Sequence, residues 1–325
     1  MILELAAATL LALSASGGHT DTVVTVRPGA RLDLNDFSGR IMITAWDRGA
    51  IRVTADHDAE TRLAVDAGPV TVMIHALRRI RIPEMSELGE LRQRTIETPM
   101  PASVDYQLTV PRWMDLRLSG VNTDMTLKGV EGQVDAQTVR GTVALVGGRR
   151  FVRLCAIDGD VDVEGARGHV EISSVNQDVD ARAIEGPIKV STVNGGIRLT
   201  RIASDDVEAS TVNGPIIYAG TLGEDGRYRF STHMGDLTVM VPEATSAAVS
   251  VSTYNGGFES SFPVRVEGLR RGKRFEFVLG TGRGELDLES FSGSIRLLRP
   301  GEKLPGAERA PRNRPAREIE RHEER

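Results

Sequence analysis

The sequence predicts an all-β chain wound as a parallel β-solenoid, two strands to each coil of about eighteen residues, in a single elongated array. Three observations predict it. The first is a nine-residue beat. Gly132, Gly141, Arg150, Gly159, Gly168, Gln177, Gly186 and Gly195 open successive units, and after one inserted residue the beat resumes at Asp205 and Gly214. The second is a fixed apolar pair in every unit. Two positions after each start stand Val134, Val143, Val152, Val161, Val170, Val179, Ile188, Ile197, Val207 and Ile216; four after stand Ala136, Leu145, Leu154, Val163, Ile172, Ala181, Val190, Leu199, Ala209 and Tyr218. The third is the alternation of two kinds of bend between units.

Within a unit, apolar-any-apolar is the alternation of a strand with one buried face. A third apolar site follows seven after the start, at Val139, Ile157, Ala166, Val175, Ile184, Val193, Ile202 and Val212, with Gly148 the exception. Sharp bends come next, at Arg140-Gly141, Asp158-Gly159, Asn176-Gln177, Asn194-Gly195 and Asn213-Gly214. Gly and Asn tolerate the backbone angles such bends demand. The bends at Gly132, Gly168 and Gly186 instead follow Glu131, Arg167 and Glu185. Alternation makes two units one coil, because like bends then stack on like. An antiparallel meander is the alternative, since Asn-Gly is also a hairpin signal. A meander leaves one wholly apolar sheet face uncovered, whereas two sheets of a solenoid cover each other.

The beat extends beyond the most regular block, 120–220. Gly39 leads to Ile41 and Ile43, Gly49 to Ile51 and Val53, Gly284 to Leu286 and Leu288, Gly293 to Ile295 and Leu297. Residues 23–298 therefore read as one array. Residues 77–103 break the pattern and read as a lateral loop, with 86–92 fit for a short helical turn.

The ends differ in kind. Residues 1–17 carry a short apolar run closed by Ala15-Ser16-Gly17, the pattern of a signal peptide and too short for a transmembrane span. Residues 299–325 are rich in Pro, Arg and Glu and poor in apolar residues, the composition of a disordered charged tail. A net charge of −5 and 4% aromatics give no basis for a nucleic-acid partner. Cys155 is the only cysteine, so no internal disulfide forms; the alternation turns it outward.

Tyr106-Gln107-Leu108-Thr109-Val110-Pro111 opens the regular block, and Val193-Asn194-Gly195-Gly196-Ile197, Val212-Asn213-Gly214-Pro215-Ile216 and Tyr254-Asn255-Gly256-Gly257 follow it. These stretches resemble the bacterial "putative adhesin" family of β-strand-repeat proteins of unknown function, related to autotransporter-adhesin head domains. The resemblance covers most of 100–298 and implies an exported solenoid of the cell envelope. It brings no catalytic residues.

The residues offer little catalytic chemistry. The six histidines stand at no metal-ligand spacing. Gly280-Thr281-Gly282-Arg283-Gly284 has the look of a phosphate loop, but a strand-like Glu285-Leu286-Asp287-Leu288 follows where a helix is needed. One acidic constellation stands out. At an eighteen-residue period Asp160 stacks on Asp178 and Asp162 on Asp180, about 4.8 Å apart, with Glu164 beside Arg182. Those four aspartates are the candidate metal residues, for a hard cation such as Ca²⁺, weighed against a solvated face near Arg182 and Arg198. Stacked Asn176, Asn194 and Asn213 read as a structural hydrogen-bonded ladder. The expectation is a non-enzyme without cofactor or metal, exported to the periplasm or cell surface, that offers its repeat surface to an envelope polymer or protein. The alternatives are a carbohydrate-active β-helix enzyme using Asp160, Asp162, Asp178, Asp180 and Arg198, and an envelope-stress sensor or assembly factor.

Overall fold

The computed structural model describes residues 18–85, 91–264 and 274–302, and every regular element in it is a strand. The central coils are parallel and in register at a spacing of eighteen residues. Val143 pairs with Val161, Val161 with Val179 and Val179 with Ile197 on one sheet. Val134 pairs with Val152, Val152 with Val170 and Val170 with Ile188 on the other. The meander is thereby excluded for the repeat block. Antiparallel pairs occur only toward the ends and in a lateral excursion, as between His19–Thr25 and Ala50–His57 or Ala247–Thr253 and Arg274–Leu279.

Both apolar positions of each unit point between the two sheets. Val161, Val170, Val179 and Ile188 are buried, while Asp162, Glu171, Asp180 and Lys189 face outward. Each buried Val or Ile contributes roughly 1.5–3 kcal/mol of transfer free energy, and each touches its own kind above and below. An interior of identical stacked side chains follows directly from register. A one-residue slip would turn every one of them out.

The third apolar site splits by corner. Ala166, Ile184 and Ile202 are buried, whereas Val139, Ile157, Val175, Val193 and Val212 are 36–43% exposed. The cause lies one residue earlier. Gly129, Gly147, Gly165, Ala183 and Arg201 form a column at eighteen-residue spacing, all with left-handed φ between 54° and 98°. A left-handed residue reverses the facing of the next side chain, so at this corner the third site turns inward. At the other corner the chain stays extended past Thr138, Ser174, Thr192 and Thr211, which point inward, and the next residue must point out. The residue inserted before Asp205 is absorbed at the first corner, between Ala203, which still bridges to Glu185, and Val207, which pairs with Ile188 one residue out of the earlier period.

The second corner has a different demand. Gly159, Gly195, Gly214, Gly235, Gly293 and Gly256 sit over the same corner position of the coil beneath. A Cβ built on any of them would overlap a carbonyl oxygen there, that of Gln177 in the case of Gly195. The close approach of backbones selects glycine at this corner; at the first, backbone handedness selects it in the Gly129 column, and close approach again at Gly132, Gly168 and Gly186.

One expectation needs correction. The segment 77–103 is not a loop. Thr71–Met85 and Leu91–Pro99 form an antiparallel hairpin, running from Leu77 opposite Pro99 to Met85 opposite Leu91, which leaves the array sideways. The helical turn expected at 86–92 falls partly on 86–90, outside the described residues, and Leu91 and Arg92 belong to a strand. Alternating Arg, Ile and Glu gave too little apolar periodicity to signal a two-stranded ribbon. Coil order departs from sequence order at both ends of the array. Gly284–Ser292 pairs with Ile216–Met234 on one side and Ala247–Thr253 on the other. The last coil in sequence is thus not the last in space. At the opposite end Arg31–Trp46 lies between Ser103–Pro111 and Asp115–Lys128. The proposed leader 1–17 and the tail from 303 lie outside the described residues.

The left-handed column yields a direct test. Ala183 and Arg201 hold a conformation that costs a side-chain-bearing residue about 1 kcal/mol or more relative to glycine. Ala183→Gly is expected to raise the melting temperature by a few degrees, despite glycine's entropy, and Gly195→Ala to lower it sharply. Equal melting temperatures for Ala183→Gly and wild type in a thermal scan would show that the strain is absent.

Candidate binding surface

Register turns every outward position into a column, so any functional surface here is built from columns. On one sheet the outward column reads Asp33, Arg117, Asp135, Arg153, Glu171, Lys189, Glu208, Arg229, Asp287. Charge alternates at every step. Arg153 donates to Glu171 at 2.9 Å and Lys189 to Glu208 at 3.1 Å. Opposite charges in directly facing positions support the sheet, and this face neutralises itself.

The acidic constellation lies on the other sheet. Asp162 faces Asp180, and Asp180 faces Arg198, as stacking predicts. Their surroundings answer the charge. Arg182 grips the Asp180 carboxylate with Nε at 3.0 Å from Oδ1, and Arg198 Nε lies 4.0 Å from the same carboxylate. The hydrogen bond that Arg182 donates to Asp180 foremost, and then the charges of Asp180, Asp162 and Glu164, hold the guanidinium above its ordinary pKa. Asp178 Oδ1 accepts the backbone N–H of Gly196 at 2.7 Å. Asp115, Asp124 and Asp236 do the same for Gln133, Thr142 and Ser294 at the starts of neighbouring strands. This recurrence gives Asp178 a structural role. Among the described residues no three His, Cys, Asp or Glu side chains converge in metal-holding geometry. The glycine-rich stretch at 280–284 is a turn between Arg274–Leu279 and Gly284–Ser292, and Ser246 Oγ accepts the N–H groups of Thr281 and Gly282 at 3.1 Å each.

The asparagine ladder is present as stacked amides. Asn213 donates to Asn194 and Asn194 to Asn176, each at 2.9 Å, and Asn176 donates to Asp158. Inside the same corner, Thr138, Thr192, Thr211, Thr232 and Ser290 donate to corner carbonyls, those of Thr123, Gln177, Gly195, Gly214 and Gly235, at 2.9–3.3 Å. A hydroxyl column within and an amide column without clamp the bend.

Between them runs the feature that the sequence pattern did not separate from core. Val121, Val139, Ile157, Val175, Val193 and Val212 stand exposed in a line. The line continues through His233, Phe291 and Tyr254, whose rings stack at 4.6 and 4.9 Å with planes within 14°. Phe37 begins it, between residues that pair with Gly120 and Asn122. Nine steps of about 4.8 Å make a ridge roughly 43 Å long. Its flanks carry little charge. On one side lie Ser119, Gln137, Cys155, Ser173, Ser191, Ser210 and Ser231, paired in register; on the other lie the asparagines, with Arg140 and Asp158 facing each other in the same column. Cys155 is partly exposed within that polar flank. The available sequence signal was the Thr or Ser just before most ridge residues, with Asp36, Gly120 and Ala156 before the other three: an inward side chain there forces the next one out.

One member of the inward hydroxyl column is a carboxylate. Asp36 is 7% exposed, accepts a 2.7 Å bond from Thr123 Oγ1, and leaves Oδ1 without a partner, as is the buried Tyr106 hydroxyl. Burial pushes its pKa up to about 6, against the pull of Thr123 and the N–H groups of Phe37 and Ser38. Burial, with the charge of Asp36 second, raises the Tyr106 hydroxyl as well.

A model of the Toastrack DUF4097 family matches residues 30–298. No curated protein matches the chain. Among solved structures, a "putative cell adhesion protein" from Clostridium sporogenes is similar at 11% identity, covering 86% of this chain and 99% of that one, with a TM-score of 0.19, too low to carry an argument. Among the described residues no helix is long and apolar enough to cross a membrane.

The Asp36 site predicts a pH dependence. Its folded pKa lies above the unfolded value, so its contribution to stability is full below about pH 4, declines as the pH rises through about 6, and is flat above. The loss is on the order of 2–3 kcal/mol. Asp36→Asn is expected to melt higher than wild type at pH 7.5 and to close that gap by pH 4. A gap that does not change with pH would remove the buried-carboxylate account.

Proposed function

This chain belongs to the Toastrack DUF4097 family, and from that membership and its columnar surface we propose a non-enzymatic, exported protein of the cell envelope whose repeat surface holds a polymer or protein partner. The observation that carries the reading is the exposed ridge with its mainly uncharged polar flanks. Contiguous apolar surface of this extent on a soluble fold marks a contact site. An array whose outward positions recur at every strand spacing engages partners over several coils at once.

Export, to the periplasm or the cell surface, is supported by the composition of residues 1–17. Kinship to autotransporter-adhesin heads is supported by the recurring Asn-Gly corners alone. The non-enzymatic part is supported by the geometry around the candidate carboxylates. Asp178 and Asp180 are engaged with a backbone amide and an arginine, and Asp162 and Arg198 stand in the same outward column. In the open concavity lined by Asp21, Trp46 and Arg52 the carboxylate is held by Arg52, and in the one lined by Asp205, Asp206 and Leu222 the Ser204 hydroxyl donates to the Asp206 carbonyl.

Capture from solubilised envelope fractions by the immobilised full chain tests the reading. One partner is expected to be retained, with retention falling stepwise as Asp162, Asp180, Arg198 and ridge residues are replaced singly and then together. Turnover of a glycan, ester or peptide that a single substitution abolishes would overturn it.

A further inference from the structure

We infer that the apolar ridge is the seat of a second copy of this chain, two ridges packing face to face in antiparallel order. The inference rests on the reading of the ridge as a contact surface, and it names the occupant.

Periodicity is the first argument. Ridge side chains recur at the strand spacing of about 4.8 Å, and two such rows interdigitate along their whole length only if both carry that spacing. A second copy meets that condition by construction. Charge is the second. A surface that must face itself cannot hold a run of one sign, and the ridge is flanked by Ser and Asn columns. The alternating charges of the neighbouring face begin only beyond the Ser column. An acidic or basic polymer meets no run of one sign along this line, only Arg140 and Asp158, which face each other. Area is the third. Ridge and flanks together offer on the order of 800 Å² per copy, the size of a standard stable interface, with an apolar centre and a polar rim.

Direction follows from bulk. The stacked His233, Phe291 and Tyr254 occupy one end and valines most of the rest. Parallel packing sets rings on rings and holds the valine stretch apart. Antiparallel packing sets rings against the Phe37–Val121 end and closes the middle, where Val175 of one copy meets Val193 of the other. The two-fold axis makes the contact isologous and self-limiting, so it yields a dimer and no fibre.

Sedimentation of the full chain over a concentration series tests this. A dimer dissociating at micromolar concentration or below is expected. Val175→Asp with Val193→Asp should weaken it about a hundredfold, with circular dichroism unchanged and the melting temperature of the dissociated chain preserved. In a Cys155→Ser background, Phe37→Cys chains mixed with Tyr254→Cys chains should cross-link on oxidation, and Phe37→Cys chains alone should not. A monomer at about 100 µM, or a dimer unaffected by the double aspartate variant, overturns the inference. So does ridge-dependent capture of a neutral polysaccharide by a monomeric chain. Self-pairing and envelope binding fail separately: a monomer that still retains an envelope partner sinks only the first, and a dimer that retains none sinks only the second.

Discussion

Everything in this molecule depends on parallel, in-register hydrogen bonding between coils. The bond from one strand to the next fixes a spacing of about 4.8 Å and places each residue on its counterpart one coil away. Side chains do not choose neighbours of other kinds; they meet their own. The consequences are uniform columns: valine on valine inside, hydroxyl on carbonyl at the corner, amide on amide outside. Even the positions of glycine answer to this spacing, since at the Asn-Gly corner there is no room between coils for a Cβ.

Columns make some side chains cooperative and others costly. A stacked amide donates down and accepts from above, so every added Asn satisfies a neighbour. Asn213, Asn194 and Asn176 form such a chain and end it on a carboxylate at Asp158. Like charges in a column repel, and the sequence resolves this in two ways. One face alternates sign at each coil. The other lets Asp162 and Asp180 face each other and brings in arginines from beside and beyond. The acidic row is therefore a local electrostatic compromise within a sheet. Asp36 is the costly exception, a carboxylate in a column of hydroxyls with one oxygen unanswered.

The parts of this architecture that repeat were legible in the sequence. Val161, Val170, Val179 and Ile188 could be assigned to the core, their parallel partners named, and the Asn ladder anticipated, because each rests on spacing alone. The ridge was only half legible. Val175 and Ile184 occupy the same place in the nine-residue unit, and both are apolar; what separates them is the left-handed residue at Ala183, which a propensity for glycine does not reveal. The hairpin at 71–99 was missed because charge and apolar residues alternate there without a turn signal in the expected place. Coil order at the ends was not legible at all. Equivalent coils carry equivalent patterns, so nothing in Gly284–Ser292 marks it as lying inside Ala247–Thr253.

That exchange of order bears on how the chain assembles. In a plain solenoid each coil needs only its neighbours in sequence, so folding can nucleate anywhere and propagate. Here Arg31–Trp46 must wait for Ser103–Pro111 and Asp115–Lys128 to find its neighbours, and the stretch from Arg227 to Met234 presents a bare edge until Gly284–Ser292 has emerged. The middle coils are free to zip at once, whereas both termini close over long loops whose ordering entropy delays them. A nascent chain truncated anywhere between 240 and 284 would have a complete spine and an unsealed end, sticky in the manner of any open strand. The strand Gly284–Ser292 is the latch of that end of the array.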